Sequence, residues 1–344
     1  MNKSFLVVLI INALIFTSFT SSNLLAQDAK VNAFEKAIRD GNLKEVKKQI
    51  KKGADPNIQF SSGETALALS KRNSTIAEFL LSVNGIDVNG WNINRKDGTY
   101  NYTNLMAVLE YPGLVKILLD KGAKLELLDN GIGKDGKPIG GCTALMLAIQ
   151  RWNAESAKLL IDKGASIDVV DAEGQTLLIQ AVLGVPSIIS GDGTDNYQIV
   201  KLLLNKGAKT DILDKSEYNL TALMWAIFTN SIESAKLIID KGANLEIKNK
   251  KGQTALHWAV LNKKIDFVQL LLEKGAKINA ADDTGTTPLM FSAYYKQADM
   301  LKLLVEKGAN VKLKNKAKKS ALSFANSNKM TDSVKLLKAK GAKS

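Results

Sequence analysis

Gly252-Gln253-Thr254-Ala255-Leu256-His257-Trp258-Ala259 opens a stretch that closes at Lys274-Gly275-Ala276, and both of its ends recur along the chain. The Lys-Gly-Ala triplet places its glycine at Gly53, Gly122, Gly164, Gly207, Gly242, Gly275, Gly308 and Gly341, and Asn84-Gly85-Ile86 fills the remaining gap as a variant. Successive spacings are 32, 37, 42, 43, 35, 33, 33 and 33 residues, so the base period is 33. A period in this range signals stacked units, each too small to bury its own apolar face.

A second mark stands 21 residues before the glycine at Thr143, Thr221, Thr254, Thr287 and Ser320, each followed by Ala-Leu or Pro-Leu. Thr65, Thr103 and Thr176 begin related marks at altered spacing. A Thr or Ser oxygen accepts from the unpaired amides of a first helical turn, and Pro288 suits the first helical position, so each mark predicts a helix start. About ten residues later a second helical face begins, as in Ile265, Phe267, Val268, Leu270, Leu271 and Leu272. It should stop at Lys-Gly, because Gly adopts the left-handed conformation and the lysine meets the negative end of the helix dipole. Eight lysines are accounted for in this way, so part of the basic balance is structural.

The pattern resembles the ankyrin repeat, through Asp171 to Ala181, Leu203 to Ala208 and, most closely, Gly252 to Ala259. The resemblance runs over about residues 31 to 342. It implies an all-α repeat solenoid of about nine repeats, each a β-turn finger with two antiparallel helices, in a curved stack with end caps. The family's helix-opening His is present only as His257, with Met106, Met146, Met224 and Met290 in its place elsewhere. Lys318 stands where the last finger should have Gly, and the first unit carries Lys36, Arg39, Lys44 and Lys47 among its apolar positions. Both ends therefore read as caps that shield the core from water.

Length alone, 344 residues, suggests about two domains, but the repetition makes one array over 27–344 the expectation. Residues 1–26 read as a signal peptide: Lys3 is followed by an apolar run from Phe5 to Phe16, shorter than the roughly 18 to 20 residues of a spanning helix. Export to the periplasm or outside the cell, and a mature chain with no transmembrane segment, are the corresponding expectations. Cys142 is the single cysteine, so no internal disulfide can form. The net charge of +13 is uneven: residues 312 to 344 hold ten Lys against Asp332, which is +9 and leaves +4 for the rest. Lys316, Lys318 and Lys319 form a basic surface there, read either as a solvated cap or as a site for an anionic surface. Nucleic acid is a poor fit, because no nucleic-acid motif accompanies the charge.

Three long interruptions break the period. Gly85 to Thr103 exceeds the usual finger by six residues and carries Trp91, Asn94, Arg95, Tyr100 and Tyr102. Gly122 to Thr143 exceeds it by nine and holds Asn130, Lys134, Asp135 and Lys137, and ten extra residues in the fifth unit include Pro186, Asp192, Asp195 and Asn196. Aromatics on loops serve as interface anchors or fold back over neighbouring helices, and for Trp91, Tyr100 and Tyr102 both readings stand. Trp152, at a turn between helices, and Tyr294 and Tyr295, near the corresponding turn in the eighth unit, complete the candidates together with Arg95 and Lys134.

Catalytic chemistry finds little support. Gly131 to Gly136 matches G-x-G-x-x-G, but it lies in an extended finger without a βαβ unit. His257 and Cys142 belong to units whose stacking separates them by on the order of 25 Å or more. One His and one Cys do not make a usual zinc site. No metal or cofactor is expected. The leading function is a non-enzymatic protein-binding scaffold or adaptor. An inhibitor of a periplasmic enzyme or toxin, in the manner of an immunity protein, and a secreted effector that binds a host protein are the alternatives.

Overall fold

Threonines open the first helix of the repeats by capping it. Thr221 Oγ1 accepts from the Met224 amide at 3.3 Å, Thr176 Oγ1 from Ile179 at 3.2 Å, and Thr65 Oγ1 from Ala68 at 3.1 Å. Asparagines do the same for several second helices, as Asn73 Oδ1 does for the Ile76 amide at 3.1 Å. These contacts come from a computed structural model that describes residues 28–94, 100–129, 141–184 and 197–343. The apolar run of the N-terminal segment lies outside them. Among the described residues, no helix is long and apolar enough to cross a membrane.

Contacts divide the chain into two compact units, one up to Leu147 with Asp162–Gly164, the other comprising Ala148–Ile161 and the chain from Ala165 onward. The first unit pairs a helix over 28–39 with Leu43–Lys51, Ala66–Leu69 with Ser74–Ser82, and Asn104–Ala107 with Pro112–Asp120. Lys36, Arg39, Lys44 and Lys47 all stand exposed on its first pair, and Arg39 reaches Glu35 at 2.7 Å. The extended finger of this unit forms a two-stranded antiparallel ribbon, Trp91–Asn94 with Tyr100–Thr103. That ribbon was not apparent from the repeat pattern.

The second unit contains the pairs Leu177–Leu183 with Tyr197–Asn205, Ala222–Phe228 with Ile232–Asp240, and Ala255–Leu261 with Ile265–Glu273. Pro288–Tyr294 with Ala298–Glu306 and Ala321–Ser327 with Thr331–Ala339 follow. Within this unit the first helices pack on one another in sequence order, and each also packs on its own second helix. Leu223, Ile227, Ile238, Leu271 and Leu304 are buried in the resulting core. Each such side chain contributes about 1.5 to 3 kcal/mol by leaving water.

Successive repeats are tied by side chains that accept from the next repeat's backbone. Asp211 accepts from the Asn244 amide at 3.0 Å, Glu246 from Lys277 at 2.8 Å and Asn279 from Asn310 at 2.8 Å. The fingers are also joined directly, Lys316 N–H donating to the Thr284 carbonyl at 2.9 Å. Gly252 has φ +73, and a Cβ there would collide with Asp283 of the next finger, so both conformation and space demand glycine. Lys318 occupies the corresponding place in the last described finger with φ +61.

Candidate functional site

The first helices of the second unit combine a buried face with an uncharged outer one. Their sequences, ALMWAIF, ALHWAVL, PLMFSAY and ALSFANS from Ala222 onward, contain no Asp, Glu, Lys or Arg. The fourth residue after each capping Thr or Ser is aromatic: Trp225, Trp258, Phe291 and Phe324. Phe228 and Tyr294 follow at the seventh place, Tyr295 at the eighth. Phe228 is 54% exposed, Tyr294 55% and Tyr295 45%, whereas Trp258 is buried and Trp225, Phe291 and Phe324 are half-buried.

These rings hold one another in place. Tyr295 stacks on Phe291 at 6.0 Å, and Tyr294 sets its edge against Tyr295 at 4.9 Å and Phe324 at 5.5 Å. Phe228 meets Trp225 edge-on at 5.7 Å. Fixed rings lose little conformational freedom when a ligand arrives, which makes them efficient contact surface.

A buried finger carboxylate supports Trp225 from below, and a half-buried one on the preceding finger acts alike on Gln180. Asp214 accepts from the Leu220 amide with one oxygen at 2.8 Å and from Trp225 Nε1 with the other at 2.7 Å. Asp171 does likewise for the Gln175 amide and Gln180 Nε2, at 2.8 and 2.7 Å. In the next repeat Asn249 takes that place, its oxygen accepting from Gln253 N at 3.0 Å and its NH2 donating to Gln253 Oε1. Trp258 Nε1 finds no acceptor among the described residues. An amide supplies one acceptor where a carboxylate supplies two.

His257 serves the stack. Its ring lies fully buried, with Nδ1 accepting from Thr254 N at 3.2 Å and Nε2 3.1 Å from the Thr286 carbonyl of the next finger. A carbonyl only accepts, so the proton sits on Nε2 and the imidazole is neutral. Burial pushes its pKa down to about 4, against the opposing pull of the Thr286 hydrogen bond. Where methionine replaces this His, sulfur takes over the local link, as when Met146 Sδ accepts from the Thr143 amide at 3.4 Å.

The ribbon in the first unit is a second candidate surface. Trp91 pairs with Thr103 and Asn92 with Tyr102, so alternation along the strands puts Trp91 and Tyr102 on opposite faces. Trp91 is 41% exposed and Tyr102 half-buried. Asn92 anchors the ribbon, accepting from the Thr65 amide at 2.7 Å and donating to Asn104 Oδ1 at 3.1 Å. Tyr100 joins through its backbone, paired with Asn94. Arg95 and Lys134 lie outside the described residues, as do the G-x-G-x-x-G stretch and the Pro186 to Asn196 interruption.

Trp152 is 40% exposed with φ 55, a left-handed conformation that a bulky side chain rarely adopts. It belongs to the second unit, like Tyr294 and Tyr295. Lys316, Lys318 and Lys319 are exposed on the last described finger of that unit. The half-buried ring positions escaped the sequence reading, although their fixed distance of four residues from each cap was in plain sight.

A sequence profile of ankyrin repeats (3 copies) matches residues 34–129, 105–191, 187–282 and 278–344. The chain belongs to the ankyrin-repeat family. An ankyrin repeat protein of Acanthamoeba polyphaga mimivirus is 26% identical over 144 residues, which is 42% of this chain and 13% of that protein's length. Ankyrin repeats generally mediate protein–protein interaction, and proteins of the family are typically non-enzymatic scaffolds.

Proposed function

We propose that this ankyrin-repeat protein is a non-enzymatic scaffold or adaptor that grips a protein partner on the first-helix face of its second unit. The observation that carries the reading is two groups of exposed aromatics, Phe228 and Tyr294 with Tyr295, at the ends of first helices that bear no Asp, Glu, Lys or Arg. A water-facing helix surface is ordinarily charged or polar, and aromatics are the side chains that dominate interface energetics. The array comprises nine repeats, capped by polar end units. Export places the protein in the cell envelope or outside the cell, a reading supported by Lys3 and the apolar run from Phe5 to Phe16.

Selection of displayed random peptides on the full-length chain tests the interaction. Peptides should be enriched on the unaltered protein and lost on the Phe228→Ala/Tyr294→Ala/Tyr295→Ala variant. Enrichment that ignores the three substitutions would move the site elsewhere, and no enrichment at all would sink the reading.

A further inference from the structure

We infer that this aromatic face takes an acidic, extended peptide segment whose carboxylates recur at every third residue. The inference rests on the interaction reading above and adds the chemistry of the partner. Two rows of lysine flank the strip. At the turns that end the first helices stand Lys263, Lys296 and Lys329, all exposed, with φ of 58, 56 and 56°. On the finger that begins the first of those helices stands Lys251 and on the finger that begins the third stand Lys316 and Lys319, also exposed, while the finger between them carries exposed Asp283.

Among the described residues none of these six lysines makes an ion pair. Lys251 lies over the Tyr218 ring at 5.0 Å from its centroid, beside Trp258. Acids of the same repeats sit mainly on the second helices, as Asp266, Glu273, Asp299 and Glu306 do, and Asp283 is the exposed one on the fingers. Each turn lysine precedes an exposed acid by three residues, Asp266, Asp299 and Asp332 in turn, yet pairs with none of them among the described residues. Its left-handed backbone would suit Gly or Asn without strain, yet three repeats carry lysine there. Local conformation therefore does not explain the residue choice, whereas a bound anion does.

The dimensions fit one extended chain. A first helix of 7 residues is roughly 10 Å long, which sets the gap between the two lysine rows. Stacked helices repeat every 8 to 10 Å or so. An extended peptide rises about 3.3 Å per residue, so roughly every third side chain comes level with a new lysine. Residues between the acids rest on Phe228, Tyr294 and Tyr295, which favours apolar or aromatic side chains there.

The test uses full-length protein and fluorescent peptides of about twelve residues, read by anisotropy. One peptide carries Glu at every third place with Phe and Leu between, and a second has Gln for each Glu. A third has the same composition with its acids clustered at one end. The first should bind at least about tenfold more tightly than either of the others, and less tightly as salt screens the lysines. Lys263→Asn/Lys296→Asn/Lys329→Asn removes the charge while suiting the turn, so it should melt no lower than the unaltered chain and lose most of that preference. Equal binding of the Gln peptide, or a preference untouched by the triple substitution, would overturn the proposal. So would tighter binding of oligothymidylate or heparin than of the acidic peptide. Displayed peptides that need the aromatics but lack spaced acids would leave the interaction standing and refute the acidic class alone. An absence of any selected peptide would refute both.

Discussion

The two helices of a late repeat bury similar apolar side chains and treat water differently. Ile265–Glu273 and Ala298–Glu306 present Asp266, Glu273, Asp299, Lys302 and Glu306 outward, as amphipathic helices do. Their partners, Ala255–Leu261 and Pro288–Tyr294, expose neither acid nor base. Stacking explains the buried half of both helices equally well. It does not explain why Ala298–Glu306 is solvated by charge and Pro288–Tyr294 by Tyr294, whereas the proposed contact would.

Breaking the shared half should have the largest effect. Leu271 is fully buried on the second helix, and Leu271→Ala should destabilise by about 2 to 5 kcal/mol in urea unfolding. A loss below about 0.5 kcal/mol would mean that the stack is not held by these side chains.

The next largest effect belongs to the first helix. Burial lowers the pKa of His257 to about 4 from the ordinary imidazole value of 6.5, so the unfolded chain binds more protons than the folded one between those values. The contribution is complete above about pH 6.5 and is lost progressively as pH falls towards 4, amounting to about 3 kcal/mol at the low end. His257→Met, the choice made at Met224 and Met290, should flatten that dependence. An unchanged pH profile in the variant would show that the ring is not the titrating group.

A smaller effect sharpens the account of what supports the strip. Asn249→Asp supplies the second acceptor that Asp214 offers Trp225, at the expense of one hydrogen bond to Gln253. Stability should rise by about 1 kcal/mol at neutral pH. A decrease would indicate that the carboxylate cannot reach Trp258 Nε1.

Much of this was legible in the sequence, for reasons that differ from residue to residue. Thr221 and Thr254 announce helix starts because few other residue types cap as well. Gly242 and Gly275, with φ +89 each, mark stops because side chains rarely adopt that conformation. Trp91–Asn94 and Tyr100–Thr103 hid because an inserted finger has no counterpart to be compared with. Lys263, Lys296 and Lys329 hid because nothing in a lysine signals a left-handed turn. Trp225 and Phe291 hid because a 7-residue helix has too few turns for its pattern to separate the packed side from the open one.

The central claim is that the first-helix face is reserved for contact. It is tested most directly by measuring unfolding and peptide affinity on the same Phe228→Ala/Tyr294→Ala variant. Affinity should fall by about 2 kcal/mol or more, and stability by no more than about 1.5 kcal/mol, since the rings lose only exposed edge contacts. Full affinity with a larger loss of stability would contradict the claim and make the strip part of the fold.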